Sequence, residues 1–388
     1  MRVTFLTHYP GRGGSTVFLD QLRRFLDGCG HHTEVVCGQD ADAPLLDRYH
    51  VVQSVPHREW HLRRSCYLEA IQRTAPDVVY AISGSEEFDI LRFLKLPRVH
   101  HIFSLERHAW MDIPRLIRQS APCTELFTAN TPDVLDDIAP LTAHGQSQQR
   151  IAPYRIDETW FAQEPPAESD RVRVCFCGRL EPFQKRADWL AKIIPHAHRR
   201  GLPIEWHVIG DGPSADGIRR RVEDSGAAVK FHGWLNANQM RAVYRQADLF
   251  FLCSRWEGLP VSMVEAMACG LAAMVPRMPG GSAHLLESSA CGWIYRATAP
   301  RAAVDALELA CAERSLLEQK KRHALQRVRQ EFGPETVDRQ LTELEAALQC
   351  LAFNGHAEDP RSAAPLRRIS PLRFLFQRIP LLLARQTP

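Results

Sequence analysis

The chain has 388 residues, of which 45% are hydrophobic and 24% are charged, and its formal net charge is +3 at pH 7. Its length suits two domains that each bury a core. The small net charge disfavours a nucleic-acid-binding protein, and no apolar run is long enough to predict a membrane-spanning helix. Eleven cysteines without a C-x-x-C pair favour free thiols over disulfides or zinc, so we expect a cytoplasmic protein.

Strands and helices are predicted to alternate through the first half of the chain, beginning with a buried strand at residues 2–7. This alternation is typical of a doubly wound parallel sheet, in which ligands lie at the carboxyl ends of the strands. The other predicted strands are 34–37, 77–82, 98–103, 126–129 and 150–153, and the predicted helices are 16–26, 61–74, 86–94 and one that begins near 131.

Two groups of residues in this half are candidates for a ligand site. Gly13 and Gly14 follow the first strand in a G-x-G-G arrangement, which differs from the G-x-G-x-x-G dinucleotide fingerprint. His100 and His101 lie in a later strand, and His108 lies in the loop after it. A histidine in a strand is usually packed in the core, and a glycine pair is often a plain turn. Position alone therefore leaves both roles open.

The second half repeats the alternation after a predicted linker at residues 154–170, where 164–170 is polar and contains two prolines. The repeat predicts a second parallel sheet with helices on its faces. Its predicted strands are 172–177, 204–209, 229–232, 248–252 and 272–275, and its predicted helices are 187–199, one ending near 224, 238–246, 301–311, 316–331 and 335–348.

The run SRWEGLPVSMVEAMACG, which ends at Gly270, is predicted to be a strand end, a tight loop and a helix. Gly258 permits the turn, and Pro260 suits the first helical position. Free N–H groups at the start of a helix attract phosphate. Glu257 in the loop and Glu265 in the helix would accept hydrogen bonds from hydroxyls beside that phosphate. Phosphate flanked by hydroxyls describes a nucleotide sugar.

The string E-G-L-P-x-S-x-x-E-A-M-A-x-G in this run resembles the E-x7-E motif of glycosyltransferase family 4. Members of that family are retaining, nucleotide-sugar-dependent enzymes of the GT-B fold. Further matches in order and spacing are G-R-L with a following lysine at 178–185, G-D-G-P at 210–213, F-H-G-W at 231–234, and an aspartate and phenylalanine at 157 and 161. The resemblance covers nearly the whole chain.

The resemblance implies an α/β protein with two Rossmann-like domains that face a central cleft. The acceptor-side domain would be residues 1–160, and the nucleotide-sugar-binding domain would be residues 171–334. A helix at 335–350 would return to the first domain, and residues 351–388 would form a basic and apolar tail.

The resemblance also implies a role for each matching side chain. Arg179 and Lys185 would stabilise the departing diphosphate, because fixed cations favour the charge that develops there. Glu257 would position the hydroxyls of the sugar, Glu265 would bind the ribose hydroxyls, and His101 is our candidate for the histidine that touches the transferred sugar. The remaining candidate donor-binding residues are Gly13, Gly14, Gly178, Trp234, Leu235, Gly258, Leu259, Pro260 and Val261, with Trp234 being either a stacking partner of the base or a core residue.

Two positions depart from the family pattern. Arg186 stands where the family usually has glycine, which leaves open whether Lys185 or Arg186 faces the site. His284 stands where the family commonly has glutamate, in a loop that follows the last predicted strand. The second departure bears on how the donor is bound.

The expected activity is the transfer of a hexosyl group from a nucleoside-diphosphate sugar to a hydroxyl of a glycan or lipid-linked glycan. The expected process is the synthesis of cell-envelope polysaccharide or lipopolysaccharide, with no metal or other cofactor and no nucleic acid partner. Two alternatives are a nucleotide-sugar epimerase with the same fold and a catalytically inactive binding or scaffold protein. Product analysis with the donor alone would separate the first alternative from a transferase.

The tail combines arginines with leucine and phenylalanine over residues 361–388. This composition suits peripheral contact with an anionic membrane surface, which would place the protein at the inner face of the cell membrane. A disordered or partner-docked tail is the alternative.

Overall fold

The computed structural model describes most of the chain, which divides into two units. The first unit combines Met1–Ala152 with Gln340–Pro388, and the second unit is Pro153–Arg339. This division places residues 153–160 in the second unit, whereas the sequence analysis ends the first domain at residue 160. The described residues are 1–7, 13–38, 49–51, 60–82, 90–105, 107–108, 111–143, 147–161, 169–278, 285–286 and 290–355.

The first unit contains a seven-stranded sheet in the order β3-β2-β1-β4-β5-β8-β9, in which every neighbouring pair is parallel. Its central strands are rich in valine, leucine and phenylalanine because helices cover both faces of such a sheet. A separate antiparallel pair, β6 and β7, lies between β5 and β8 in the chain. The strands are β1 Arg2–Thr7, β2 His32–Cys37, β3 Tyr49–Val51, β4 Val78–Ile82, β5 Arg98–Ile102, β6 Arg107–His108, β7 Met111–Asp112, β8 Leu126–Ala129 and β9 Gln148–Ile151.

The helices of this unit include one that the sequence analysis did not predict. This helix, α3, begins where the Asp112 side chain accepts a hydrogen bond from the Arg115 N–H at 3.1 Å, an N-cap interaction. It has only eight residues. The described helices here are α1 Gly14–Gly28, α2 Trp60–Thr74, α3 Ile113–Ser120 and α4 Pro132–Thr142.

The second unit contains a six-stranded parallel sheet in the order β12-β11-β10-β13-β14-β15. The order reverses between β10 and β13, and ligands of doubly wound sheets bind where the order reverses. Strand β15 was not predicted. The strands are β10 Val172–Cys177, β11 Ile204–Ile209, β12 Val229–Gly233, β13 Leu249–Phe251, β14 Ala272–Pro276 and β15 Gly292–Tyr295.

The remaining helices follow the strands of the second unit, and the last one ends in the first unit. From Gln340 onward this helix belongs to the first unit, where Glu345 Oε1 lies 2.8 Å from His31 Nε2. The helices are α5 Leu190–Arg199, α6 Ala215–Glu223, α7 Ala237–Tyr244, α8 Val261–Ala268, α9 Pro300–Ala312, α10 Arg314–Phe332 and α11 Pro334–Gly355.

The predicted linker is partly wrong. Tyr154, Ile156, Trp160 and Phe161 are all buried, and residues 158–160 form a short 3-10 helix. Four apolar side chains in eight residues explain this packing, whereas the prediction followed the polar and proline-rich residues that come after them. Residues 162–168 lie outside the described part of the chain.

The tail lies outside the described residues as well, from residue 356 onward. The predicted membrane contact of residues 361–388 therefore stays a prediction. Among the helices that the structure describes, none combines the length and the apolar character needed to cross a bilayer.

The loops after β10 and β11 pack directly on each other. The Gly178 N–H donates to the Ile209 carbonyl at 3.1 Å, and the Leu180 N–H donates to the Asp211 carbonyl at 2.9 Å. Gly210 adopts a φ of +125°, and a Cβ there would lie 2.0 Å from the Gly178 carbonyl oxygen. Position 210 therefore requires glycine, and the turn that it begins fixes the path of the loop after β10.

We expect Gly210→Ala to destabilise the protein by at least about 2 kcal/mol, because it adds both a clash and a strained φ. The control is Gly217→Ala within α6, where a Cβ would meet nothing within 4 Å. That change should be neutral or stabilise by about 0.5–1 kcal/mol. Urea denaturation measures both, and equal effects would contradict the packing described here.

Candidate functional site

The candidate site lies at the carboxyl ends of β10 and β13, which are hydrogen-bonded neighbours. The loop after β10 carries Gly178, Arg179 and Lys185, and the loop after β13 carries Glu257 and leads into α8. Strand pairing brings these loops together although more than seventy residues separate them. All the charged side chains predicted to hold the donor therefore lie in the second unit.

An ion pair joins the two loops. Lys185 Nζ lies 2.7 Å from Glu257 Oε1, and the side chains are only 15% and 6% exposed. The Ser254 hydroxyl donates to the same oxygen at 2.6 Å, and Gln184 Nε2 approaches Glu257 Oε2 at 3.4 Å. Three donors therefore hold a glutamate that is almost completely buried. The ammonium of Lys185 has three N–H groups and uses one of them here.

The backbone around Lys185 is fixed by Glu181. Its carboxylate accepts hydrogen bonds from the N–H groups of Phe183, Gln184 and Lys185, at 2.7, 3.0 and 2.6 Å respectively. The Lys185 methylenes lie 3.5 Å from where a Cβ of Gly178 would be. Hydrogen bonds to the backbone and packing of the methylenes therefore both position the Lys185 side chain before any ligand binds.

The structure answers which of the two neighbouring cations joins Glu257. Arg186 is buried, and its guanidinium donates to the carbonyls of Cys253 at 2.8 Å and Ser254 at 3.1 Å. It also stacks on Trp189, with 3.8 Å between the guanidinium carbon and the ring centre. Its φ of +50° is a left-handed conformation that suits glycine. Lys185 therefore faces Glu257, and Arg186 supports the loop after β13.

Arg179 lies on the same loop as Lys185 and is exposed. Its Nη2 lies 3.3 Å from Gln184 Oε1, and the amide nitrogen of that same glutamine approaches Glu257. Gln184 thus links Arg179 to the glutamate that Lys185 contacts directly. Sequence reasoning did not single out Gln184 or Ser254, although the latter stands three residues before Glu257.

Helix α8 begins at Val261 and is preceded by Pro260, which is its N-cap and not its first residue as predicted. The Met263 N–H donates to the Pro260 carbonyl at 2.8 Å. The first N–H groups of a helix have no acceptor within it, so they are available to an anion. Gly270 ends the helix with a φ of +91°, as predicted.

Glu265 lies within α8 and is buried, unlike an ordinary helix glutamate. Burial raises the pKa of this carboxyl to about 8, although the Tyr154 hydroxyl and the charge of Arg241 act in the opposite direction. The Tyr154 hydroxyl donates to Glu265 Oε1 at 3.0 Å. Sequence reasoning did not find Tyr154, because 111 residues separate the two side chains.

Trp234 and Leu235 follow β12, on the edge of the same sheet. Trp234 is 48% exposed, so it is not the core tryptophan that was one of its two interpretations. Gly233 before it has a φ of +65°, and its carbonyl accepts from the Gly210 N–H at 2.8 Å. The contact of Trp234 and Leu235 with a base stays a prediction.

The candidates of the first unit have a different setting. Gly13 precedes α1 and Gly14 is its first residue, and among the described residues a Cβ at Gly13 would meet nothing within 4 Å. His101 is buried, stacks on Phe18 at 4.3 Å between ring centres, and has Nδ1 3.0 Å from Thr128 Oγ1. Burial lowers the pKa of His101 to about 3, so its ring is neutral. The contact of His101 with the transferred sugar and the donor-binding role of Gly13 and Gly14 stay predictions.

Two histidines named in the sequence analysis cannot be placed in this way. The side chain of His108 and the whole of His284 lie outside the described residues. The effect of histidine at position 284 therefore stays open. His100 is buried on the neighbouring position of β5 and stacks on Phe127, so it is a packed residue.

Comparison with known proteins identifies the class of the second unit. Residues 171–313 match the model of the family described as Glycosyl transferases group 1. The chain is similar to GDP-mannose-dependent alpha-(1-6)-phosphatidylinositol monomannoside mannosyltransferase of Mycolicibacterium smegmatis. The two are 29% identical over 153 residues, and this alignment covers 35% of this chain and 40% of that protein. The chain is also 27% identical over 154 residues to the putative colanic acid biosynthesis glycosyltransferase WcaL of Salmonella typhimurium. That alignment covers 37% of this chain and 38% of that protein. The matched region thus spans about two fifths of either relative.

A solved structure extends the similarity to both units. The crystal structure of Anabaena HepE in complex with UDP and glucose has a TM-score of 0.71 to this chain, at 16% identity, and covers 89% of this chain and 100% of that chain. The predicted fold class is therefore confirmed: the chain has the GT-B fold. Both this fold and the family matched by residues 171–313 are those of glycosyltransferases.

The raised pKa of Glu265 predicts a pH-dependent stability difference. The native carboxyl ionises near pH 8 and the unfolded one near its ordinary value of 4.5, so native stability falls as pH rises between these values. Glutamine keeps the shape and has no such ionisation. We expect the melting temperature of Glu265→Gln to rise relative to that of wild type as the pH increases from 5 to 8.

The matched control is Glu223→Gln at the exposed end of α6. Its melting temperature should track that of wild type across the same pH range in differential scanning calorimetry. If Glu265→Gln tracks wild type in the same way, Glu265 is not held in an environment that opposes its charge.

Proposed function

We propose that the chain is a retaining glycosyltransferase of family 4 that moves a hexosyl group from a nucleoside-diphosphate sugar to a hydroxyl acceptor. The observation that carries this proposal is the buried ion pair of Lys185 and Glu257, beside Arg179 and the start of α8. It combines phosphate-binding cations and a hydroxyl-binding carboxylate within one cluster. Seven residues also separate Glu257 from Glu265, as in the E-x7-E motif.

The chemistry follows from the position of these charges. When the bond to the sugar breaks, negative charge develops on the departing phosphate oxygen while the sugar becomes oxocarbenium-like. Lys185 and Arg179 stabilise that departing charge, and the N–H groups at the start of α8 add to the same effect. Glu257 accepts hydrogen bonds from sugar hydroxyls, and Glu265 accepts them from the ribose. Each group is held before substrate arrives, so little reorganisation is needed.

The donor and acceptor classes are supported by the relatives. HepE was crystallised with UDP and glucose, and the mycobacterial relative is named as GDP-mannose-dependent. The names of the two relatives refer to a phosphatidylinositol mannoside and to colanic acid. We therefore propose a nucleotide sugar as donor and a glycan or lipid-linked glycan as acceptor, within polysaccharide or glycolipid synthesis at the cytoplasmic side of the cell membrane.

The proposal is tested by a thermal-shift panel of UDP, GDP, ADP and CMP and their sugars on wild type and Glu265→Ala. We expect one nucleotide to raise the melting temperature of wild type, because its ribose and phosphates engage the cluster, and to lose this effect in the variant. No shift with any nucleotide would favour the inactive scaffold. If product analysis finds an isomer of the donor sugar after incubation without an acceptor, the epimerase would be favoured.

We expect Lys185→Ala to reduce kcat/KM for sugar transfer by about a hundredfold or more, the usual effect of removing a fixed charge-stabilising group. The control is Lys192→Ala on the exposed surface of α5, which removes the same side chain away from the cluster. Initial rates with saturating acceptor measure both. Equal rates for the two variants would show that Lys185 does not contact the leaving group.

We also expect transfer to continue at an unchanged rate in excess EDTA. Arg179, Lys185 and the start of α8 supply the positive charge that a divalent cation supplies in other enzymes. The measurement compares rates in EDTA with rates in magnesium or manganese. A loss of activity in EDTA that manganese restores would contradict the metal-free mechanism.

A further inference from the structure

We propose that Tyr154 is a positioning residue for Glu265, so that the segment 153–161, here called the strap, tunes nucleotide binding by the second unit. The inference rests on the proposed role of Glu265 as the acceptor of ribose hydroxyls. It goes beyond that role because it assigns a second residue, from a segment that contains none of the E-x7-E motif. Tyr154 does not need to touch the substrate.

The contact has the geometry of a specific interaction. The Tyr154 hydroxyl donates to Glu265 Oε1 at 3.0 Å, and both side chains are buried, with residue exposures of 2% and 7%. A carboxylate has two oxygens with about four acceptor sites in total. One tyrosine hydroxyl therefore orients the group and leaves acceptor sites for the two hydroxyls of a ribose.

The strap makes several contacts with the rest of the second unit through the residues that follow Tyr154. The Ile156 N–H donates to the Phe332 carbonyl at 3.2 Å, and Arg155 Nη1 lies 2.9 Å from Asp338 Oδ1. Further along, the Trp160 carbonyl accepts from the Cys269 thiol at 3.2 Å, and the Thr159 carbonyl accepts from Arg245 at 2.8 Å. Because helices α7, α10 and α11 and the end of α8 all contribute, the tyrosine ring has a defined position.

The surroundings of Glu265 explain why a hydroxyl donor matters. Arg241 on α7 favours the ionised carboxyl, whereas Asp157 in the strap opposes it. Cys177 at the end of β10, Cys269 after α8 and Tyr244 on α7 face the same carboxyl. Burial raises the pKa of both thiols to about 12 and the pKa of Tyr244 well above its ordinary value, so these three groups stay neutral. The Tyr154 hydroxyl is thus a main source of support for the charged form.

Removal of that hydroxyl has a consequence that depends on pH. Burial already raises the pKa of Glu265 to about 8, and loss of a hydrogen bond to the charged form raises it further. A protonated carboxyl is a weaker acceptor for ribose hydroxyls. Nucleotide affinity of the variant should therefore be lowest near neutral pH and should recover when the carboxyl ionises at higher pH.

The experiment measures nucleotide binding by calorimetry on the full chain, for Tyr154→Phe and wild type, from pH 6.5 to pH 9. The probe is whichever of UDP, GDP and ADP binds wild type. We expect the Kd of the variant to be about tenfold or more above wild type at pH 7, the usual effect of losing a hydrogen bond to a charged group. The ratio of the Kd of the variant to the Kd of wild type should decrease toward pH 9.

The control is Tyr295→Phe, which removes another buried hydroxyl, one that donates to the Leu252 carbonyl at 2.7 Å. Its Kd should equal that of wild type at every pH, even if its melting temperature falls. The inference is overturned if the Kd of Tyr154→Phe equals that of wild type, or if the ratio of the two Kd values does not change with pH. It is also overturned if Tyr295→Phe shows the same increase in Kd. Failure of the proposed function looks different: no nucleotide binds wild type, or Glu265→Ala binds as tightly as wild type.

Discussion

The contact between Lys185 and Glu257 is the interaction on which the site depends. Two opposite charges 2.7 Å apart and largely removed from water must offset a considerable desolvation cost, and a hydrophobic pair of similar volume often serves stability as well. Such a pair is better explained by function than by stability. Its supports agree with this view, because Glu181, Gln184 and Ser254 orient the two charged groups.

The two glutamates of the site have different surroundings. Glu257 is paired with an ammonium and accepts a hydrogen bond from a serine hydroxyl. Glu265 is buried, and its pKa is raised to about 8. Pairs of titratable groups whose environments differ in this way usually have different roles. In our account Glu257 meets the sugar beside the phosphate, and Glu265 meets the ribose.

Much of this arrangement could be predicted from the sequence. Strands β8, β10 and β11 lie where the apolar runs predict them, because a strand buried on both faces leaves a continuous apolar signal. The stop of α8 at Gly270 was predictable because the left-handed conformation there favours glycine. The Lys185 and Glu257 loops were likewise identifiable from their local motifs.

The rest depends on contacts between distant parts of the chain. Tyr154 was assigned to a linker because polar and proline-rich residues follow at 164–170, and only the folded chain shows that it contacts Glu265. The choice between Lys185 and Arg186 was equally invisible, since it depends on a left-handed backbone at the second residue. The short elements α3 and β15 were missed, whereas α8, which is as short as α3, was predicted from its glycine and proline signals.

The central claim is that a nucleotide sugar binds at the carboxyl ends of β10 and β13. Hydrogen–deuterium exchange of the full chain, with and without the nucleotide sugar that gives the largest thermal shift, tests it most directly. The account predicts slower exchange confined largely to residues 178–186, 233–235 and 254–265. Slower exchange only elsewhere in the chain, with no change in these three segments, would contradict it.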